Sequence, residues 1–326
     1  MTSQAITALA DMLSPHVPLG KTRLETLCLL IIGVISARTV NLSHVACERS
    51  GEVLIASTYR RLQRFFQHVA LGEDWSAGLV IRLLGLSGPW NLCLDRTNWK
   101  IGGRDVNILM QRYLALFGVK SVRLLLTDRE FIGLKWLNFL NGKNIPFAIR
   151  VKARLRVETE DGHRLNLSSL LRKYRGARKF YATFPGQGDV AALTLTFAAR
   201  RIRGGELLIV ASNVADRNTL NAYRRRWAIE CLFGDTKTRG LNLEDTRLQI
   251  ASKLSLLLAI VSLAVVWANR TASTLIGRGT LKRKTHGYYA KSWFRTGFDE
   301  IRTLLRSDPC AAVQPWSRIS IQRGVV

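Results

Sequence analysis

The stretch VRLLLTDREFIG at 122–133 limits the possible folds of this chain more than any other. Leu124–Leu126 form an unbroken apolar run that stops at Asp128. Such a run suits a strand buried on both faces of a sheet, so helices must cover that sheet and the fold class is α/β. WNLCLDRTNW at 90–99 repeats the theme, with Leu92 and Leu94 alternating before Asp95. Both acids stand at or just beyond a predicted strand end, where side chains escape the sheet into a crevice.

A third acid lies in YRRRWAIECLFGDTK, on a predicted helix that ends near Gly240. On an α-helix Tyr223, Arg226, Glu230 and Lys237 fall at about 0°, 300°, 340° and 320°. One narrow stripe thus carries a phenol, a guanidinium, a carboxylate and an ammonium. A helix that only packs puts aliphatic residues there, and a solvated polar face is the bland alternative. Three converging carboxylates, Asp95, Asp128 and Glu230, would bind hard divalent cations through oxygen. Two such ions about 3.5–4 Å apart suit phosphodiester displacement.

Charge points to the substrate. Of 326 residues, 49 are Lys or Arg and 23 are acidic, a net charge of +26. That excess repels itself unless a polyanion offsets it, and nucleic acid is the natural partner ahead of an anionic membrane. Five scattered cysteines (Cys28, Cys47, Cys93, Cys231, Cys310) form no CxxC pair, which predicts reduced thiols in a cytosolic protein without disulfide or zinc. No signal peptide is predicted. The apolar runs Leu27–Ala37 and Leu254–Trp267 are shorter than the ~20 residues of a membrane span, so buried helices are expected.

Residues 1–86 read as a helical N-terminal domain. Two helices are expected around Ser50-Gly51, the second capped by Ser57 or Thr58. Its apolar face is Tyr59, Leu62, Phe65, Phe66 and Val69, with Arg60, Arg61 and Arg64 elsewhere. A helix-turn-helix reader of DNA and a plain basic bundle both fit. Residues 87–268 read as the catalytic domain, with a helix over 131–141, a β-rich segment at about 145–213 and a buried helix at 252–268. Between 150 and 205 there are 13 basic residues against four acidic ones, which suggests a phosphate-contacting platform. Residues 269–326 form a basic helical C-terminal region.

DRTNWK at 95–100, TDREFIG at 127–133 and YRRRWAIECLFGDTK at 223–237 resemble the three acidic motifs of DDE transposases. The spacing Tyr-x2-Arg-x3-Glu-x6-Lys is similar to the signature of the insertion-sequence-four family. The resemblance implies a ribonuclease-H-like core with a β-strand insertion, and Asp95, Asp128 and Glu230 as catalytic residues and ligands of two Mg²⁺ ions, Mn²⁺ substituting. It implies that Tyr223, Arg226 and Lys237 hold DNA phosphates. It further implies double-stranded DNA (terminal inverted repeats and target) as partner, a homodimer bridging two ends, no membrane, and a bacterial, cytoplasmic, nucleoid-associated setting. Some relatives hold a flipped base with a tryptophan from the insertion. No Trp lies between Trp136 and Trp227 here, and Tyr181 and Phe184 are expected to pack in the core.

Only 32 residues separate Asp95 from Asp128. Two strands, a helix and turns need roughly 40 or more. The core is therefore expected to be shortened there by a strand, exposing apolar surface. Two rival readings stay open: a catalytically impaired remnant that binds or represses element ends, and a ribonuclease-H-like nuclease that does not rejoin.

Overall fold

The computed structural model describes residues 2–72, 74–95, 106–215 and 218–317. Contacts divide the chain into two units, Met1–Leu86 with Leu232–Val326, and Ser87–Cys231.

The first unit begins with α1 (Thr2–Leu13), α2 (Lys21–Ala37), α3 (Leu42–Cys47), α4 (Ile55–His68) and α5 (Ala77–Leu84). Beyond its polar first turns helix α2 is apolar on every side from Leu27 to Ile35, and Leu24 and Thr26–Ile35 are all buried, as expected for the central helix of a bundle. It ends at Arg38, which takes a left-handed conformation (φ 58°, ψ 28°). Asn41 caps α3 by accepting a bond from the Ser43 amide. Helix α4 starts at Ile55, earlier than the caps at Ser57 or Thr58 predict. Thr58 is turned inward and buried beside Leu62, Phe65 and Phe66, so the hydroxyl serves no cap. Packing of that face sets the start, and Val53, Leu54 and Ile55 are left exposed.

The second unit is a sheet with helices. Its elements are β1 (Trp90–Leu94), α6 (Val106–Phe117), β2 (Val122–Thr127), α7 (Leu134–Gly142), β3 (Phe147–Arg150), β4 (Arg156–Glu158), β5 (Arg164–Asn166), α8 (Leu167–Leu170), β6 (Arg178–Phe184), β7 (Leu193–Arg201), β8 (Leu207–Ser212) and α9 (Thr219–Arg224). The eight strands run in the order β1-β2-β3-β8-β7-β6-β4-β5. Strands β1, β2 and β3 are mutually parallel, and the remaining pairings are antiparallel. The strand-rich stretch after Asp128 therefore extends the same sheet, because β3 pairs with β2 and β8 pairs with β3. One face buries the larger core, including Leu125, Trp136, Leu137, Phe147, Ile149 and Phe197. The other buries Leu126, Ala148, Val210 and Tyr223.

Between Leu94 and Val122 the described residues hold one α-helix, α6, a short 3-10 turn at Val119–Ser121, and no strand. Arg96–Lys100 of the first motif lie outside the described residues. Strand β1 is the edge of the described sheet, and α6 exposes Ile108, Leu109 and Leu116. Tyr181 is exposed rather than packed in the core, because its side of β6 faces away from the layer that holds Ala182. Phe184 does pack against that layer.

Helix α10 (Trp227–Thr236) leads back to the first unit, which ends with α11 (Ala251–Ile276), α12 (Trp293–Ser307) and α13 (Pro309–Val313). At 26 residues α11 is longer than its apolar run suggests, and it is long and apolar enough to cross a membrane. Here Leu257, Ile260, Leu263, Ala264 and Trp267 are buried, and α11 packs on α2, α5 and α12. Gly240 lies beyond the end of α10 instead of capping it. A Cβ there would stand 2.1 Å from the Asp235 carbonyl oxygen and 2.8 Å from the Phe294 ring.

Helices α11 and α12 approach each other closely at Gly297. A Cβ at Gly297 would lie 1.8 Å from the Ala268 carbonyl oxygen and 2.7 Å from the Ala272 amide nitrogen. Gly297→Ala must push the helices apart, and overpacking of this kind costs about 1–3 kcal/mol. Thermal or denaturant unfolding of the full chain is expected to show that loss.

Candidate active site

Strands β1 and β2 run in parallel with Leu94 opposite Thr127. The next residues, Asp95 and Asp128, therefore leave two neighbouring strands at the same level. Side chains alternate between faces along a strand. Cys93 and Leu126 lie against the smaller core, on the side that Tyr223 covers. Two residues on, the alternation sends Asp95 and Asp128 towards that same side. Asp128 also caps the short turn Arg129–Phe131, its Oδ1 accepting from the Arg129 amide at 2.8 Å.

The segment bearing Glu230 is not one uniform α-helix. Helix α9 ends at Arg224 and α10 starts at Trp227. Across the join the Arg225, Arg226, Ala228 and Ile229 amides bond to carbonyls three residues back, at 2.9–3.1 Å. Such tightened turns bring residues i and i+3 into line. Tyr223 is thereby set beneath Arg226, while Arg226 and Glu230 keep helical i,i+4 spacing. The even stripe expected from an ideal helix is corrected in this respect.

Arg226 is the hub. Its Nη1 donates to Asp95 Oδ2 at 3.3 Å and its Nη2 to Glu230 Oε1 at 2.9 Å. The guanidinium is only 12 % exposed. Burial works against its charge, but Tyr223, Glu230 and Asp128 outweigh that and hold its pKa above the ordinary arginine value. Tyr223 is 6 % exposed. Its hydroxyl is buried without a hydrogen bond of good geometry. Burial pushes its pKa up to about 12, against the pull of Arg226.

The structure thus gathers Asp95, Asp128, Tyr223, Arg226 and Glu230 within one unit. Lys237 belongs to the other unit, where its Nζ pairs with Glu244 at 2.8 Å. Trp227, which is not among the residues expected at the site, is 68 % exposed directly after Arg226. Its signal was an aromatic residue between two charged site positions, where a packing helix would hide it.

The three carboxylates are hard oxygen donors of the kind Mg²⁺ takes. Among the described residues no three Asp, Glu, His or Cys side chains stand close enough to hold one metal ion as placed. Arg226 instead supplies the cation shared by Asp95 and Glu230. The donors fit a metal in kind, once the guanidinium withdraws.

Elsewhere, basic side chains line two surfaces. A groove of about 670 Å³ between α2 and α4 is lined by Arg23, Arg60, Arg61, Arg64 and His68, among others. Arg61 is held there by Thr26 Oγ1 and the Thr22 carbonyl, both at 2.7 Å, and serves as a tether between the helices. In the second unit Lys152, Arg154 and Arg156 are exposed at alternate positions, while Arg150 is paired with Glu206 and Arg164 with Glu158.

A family model described as a transposase DDE domain matches residues 90–267. No curated protein matches the chain at a significant level.

Two outcomes test the hub. Arg226→Gln leaves Asp95 and Glu230 without their shared counter-charge, and a fall in unfolding free energy of about 1–3 kcal/mol is expected in metal-free buffer. Tyr223 binds its proton more tightly in the folded state, since its pKa lies near 12 against an ordinary 10. Its contribution is intact below pH 10 and lost as pH rises towards 12. Tyr223→Phe is expected to remove that part of the alkaline loss, read as the difference between the two unfolding profiles.

Proposed function

The chain belongs to the transposase DDE domain family, and from that we propose that it cuts DNA at the ends of a mobile element and joins those ends to a target. Transposase function and DNA binding follow from the family, whose members generally use divalent metal ions. The spacing of Tyr223, Arg226, Glu230 and Lys237 supports placement in the insertion-sequence-four group. The observation that carries the catalytic reading is the convergence on Arg226: one guanidinium bonded to Asp95 and Glu230, within the field of Asp128.

In this reading Asp95, Asp128 and Glu230 would hold Mg²⁺, which when bound supplies Lewis-acid polarisation of the phosphoryl oxygen and of the attacking oxygen. The attacking oxygen belongs first to water and then to the freed DNA 3′-hydroxyl. Each displacement breaks one P–O bond, with no covalent protein intermediate. Arg226, released from its carboxylates, presents a planar fork of donors to a phosphate beside the cut. Tyr223 is buried and neutral, so its part is to position Arg226 from beneath. Trp227 offers an exposed π-face on which an unpaired base can stack, a contact worth about 1–3 kcal/mol. Exposed Tyr181 is a second such face. Lys152, Arg154 and Arg156, and the groove along α4, would take the duplex backbone by charge. Two copies would bridge the two ends.

The test uses the purified full chain, Mg²⁺ and a duplex carrying the repeats that flank its gene. Glu230→Gln is expected to lower nicking at least about 100-fold while duplex binding is retained. Nicking that is unchanged in this variant would sink the assignment. Binding without nicking by the native chain would support a binding-only protein, and nicking without joining a nuclease. Arg60→Ala with Arg64→Ala is expected to weaken duplex binding and flatten its log–log salt slope by about 2.

A further inference from the structure

Helix α12 presents Phe294, Gly297, Phe298, Ile301 and Leu305 to the core of the first unit and packs on α11 and α2. Arg302 and Arg306 lie one turn apart on it, an i,i+4 pair of like charges that repel. Arg38 ends α2 in its left-handed conformation. Burial together with the positive charges of Arg38, Arg306 and Arg295 holds the Arg302 pKa below its ordinary value. Asp299, the acid that opposes them, is already engaged by Lys291 at 2.8 Å and Arg295 at 2.9 Å. The Nε atoms of both Arg38 and Arg302 are buried and make no hydrogen bond.

Guanidiniums gathered against their mutual repulsion, with Nε–H donors hidden from water and unmatched by any acceptor, are poorly accounted for by packing alone. A tetrahedral oxyanion supplies what they lack: negative charge and several acceptor oxygens. Arginine forks match phosphate geometry closely. We propose that Arg38, Arg302 and Arg306 form a phosphate-binding site in the helical unit. Its ligand is a phosphate group, from either a DNA backbone or a free phosphate compound. The site involves none of the carboxylate-centre residues and does not depend on the catalytic reading.

The test is thermal unfolding of the full chain in chloride buffer, with inorganic phosphate or pyrophosphate exchanged for chloride at constant ionic strength. Saturating phosphate is expected to raise the native Tm by about 4–8 °C. Arg302→Met removes the mutual repulsion, so its Tm in chloride is expected to match or exceed the native value, with the phosphate response gone. Arg306→Gln, at an exposed position, is expected to lose the response as well and serves if Arg302→Met fails to fold. Absence of a phosphate-specific shift in the native chain, or an equal shift in the variants, overturns the site. Duplex binding then separates the two sources. A salt slope flatter by about 1–2 in the variants marks DNA phosphate as the ligand, and an unchanged slope marks a free phosphate. A native chain that binds no duplex yet keeps the phosphate response would defeat the DNA reading and leave this site standing.

Discussion

The Arg226 guanidinium allows three acids to share one end of a sheet. Adjacent parallel strands bring Asp95 and Asp128 out at one level because Leu94 and Thr127 are register partners. Glu230 then approaches from a helix. Without a cation among them, such an assembly would be opposed by repulsion in a partly desolvated place. Arg226 answers two of the acids directly and feels the third. The buried ring of Tyr223 fixes where that guanidinium can go. Change the tightened turn at 225–226 and the charge balance of the whole strand end changes with it.

Much of this was readable in the sequence because it rests on patterns that survive any tertiary context. An apolar run ending in Asp128 must leave a sheet at its edge, and an alternating run does the same for Asp95. The helical proximity of Arg226 and Glu230 depends only on their i,i+4 spacing. What escaped the sequence depends on longer-range packing. A choice between three- and four-residue hydrogen bonds at Arg225 and Arg226 carries no compositional mark, so the turn could not be seen. The start of α4 at Ile55 has no capping side chain and is fixed by Phe65 and Phe66 finding their core. Strand β6 mixes basic and aromatic residues, and only pairing with β7 declares it. The pairing of Lys237 with Glu244 joins residues seven apart across the end of α10, a contact that helical spacing does not announce.

The basic excess is partitioned rather than uniform. Some of it is internal bracing, as where Arg61 ties α4 to α2 and Arg150 meets Glu206. Some faces outward without a partner, as along Lys152, Arg154 and Arg156. A third part is held together against its own repulsion at Arg38, Arg302 and Arg306. These classes answer to different physics: the first to hydrogen bonding, the second to screening by salt, the third to an anion that must be supplied.

The helical unit is assembled from both ends of the chain, with the sheet unit contained between them. The Leu27–Ile35 stretch of α2 leaves the ribosome with an apolar wall on every side, and α11, one of the helices that cover it, is made more than 200 residues later. The sheet unit, continuous in sequence, can complete itself in the interval. During synthesis the first unit is therefore the last to close. A chain interrupted anywhere before Ala251 loses not only its end but also the partner that keeps its beginning soluble.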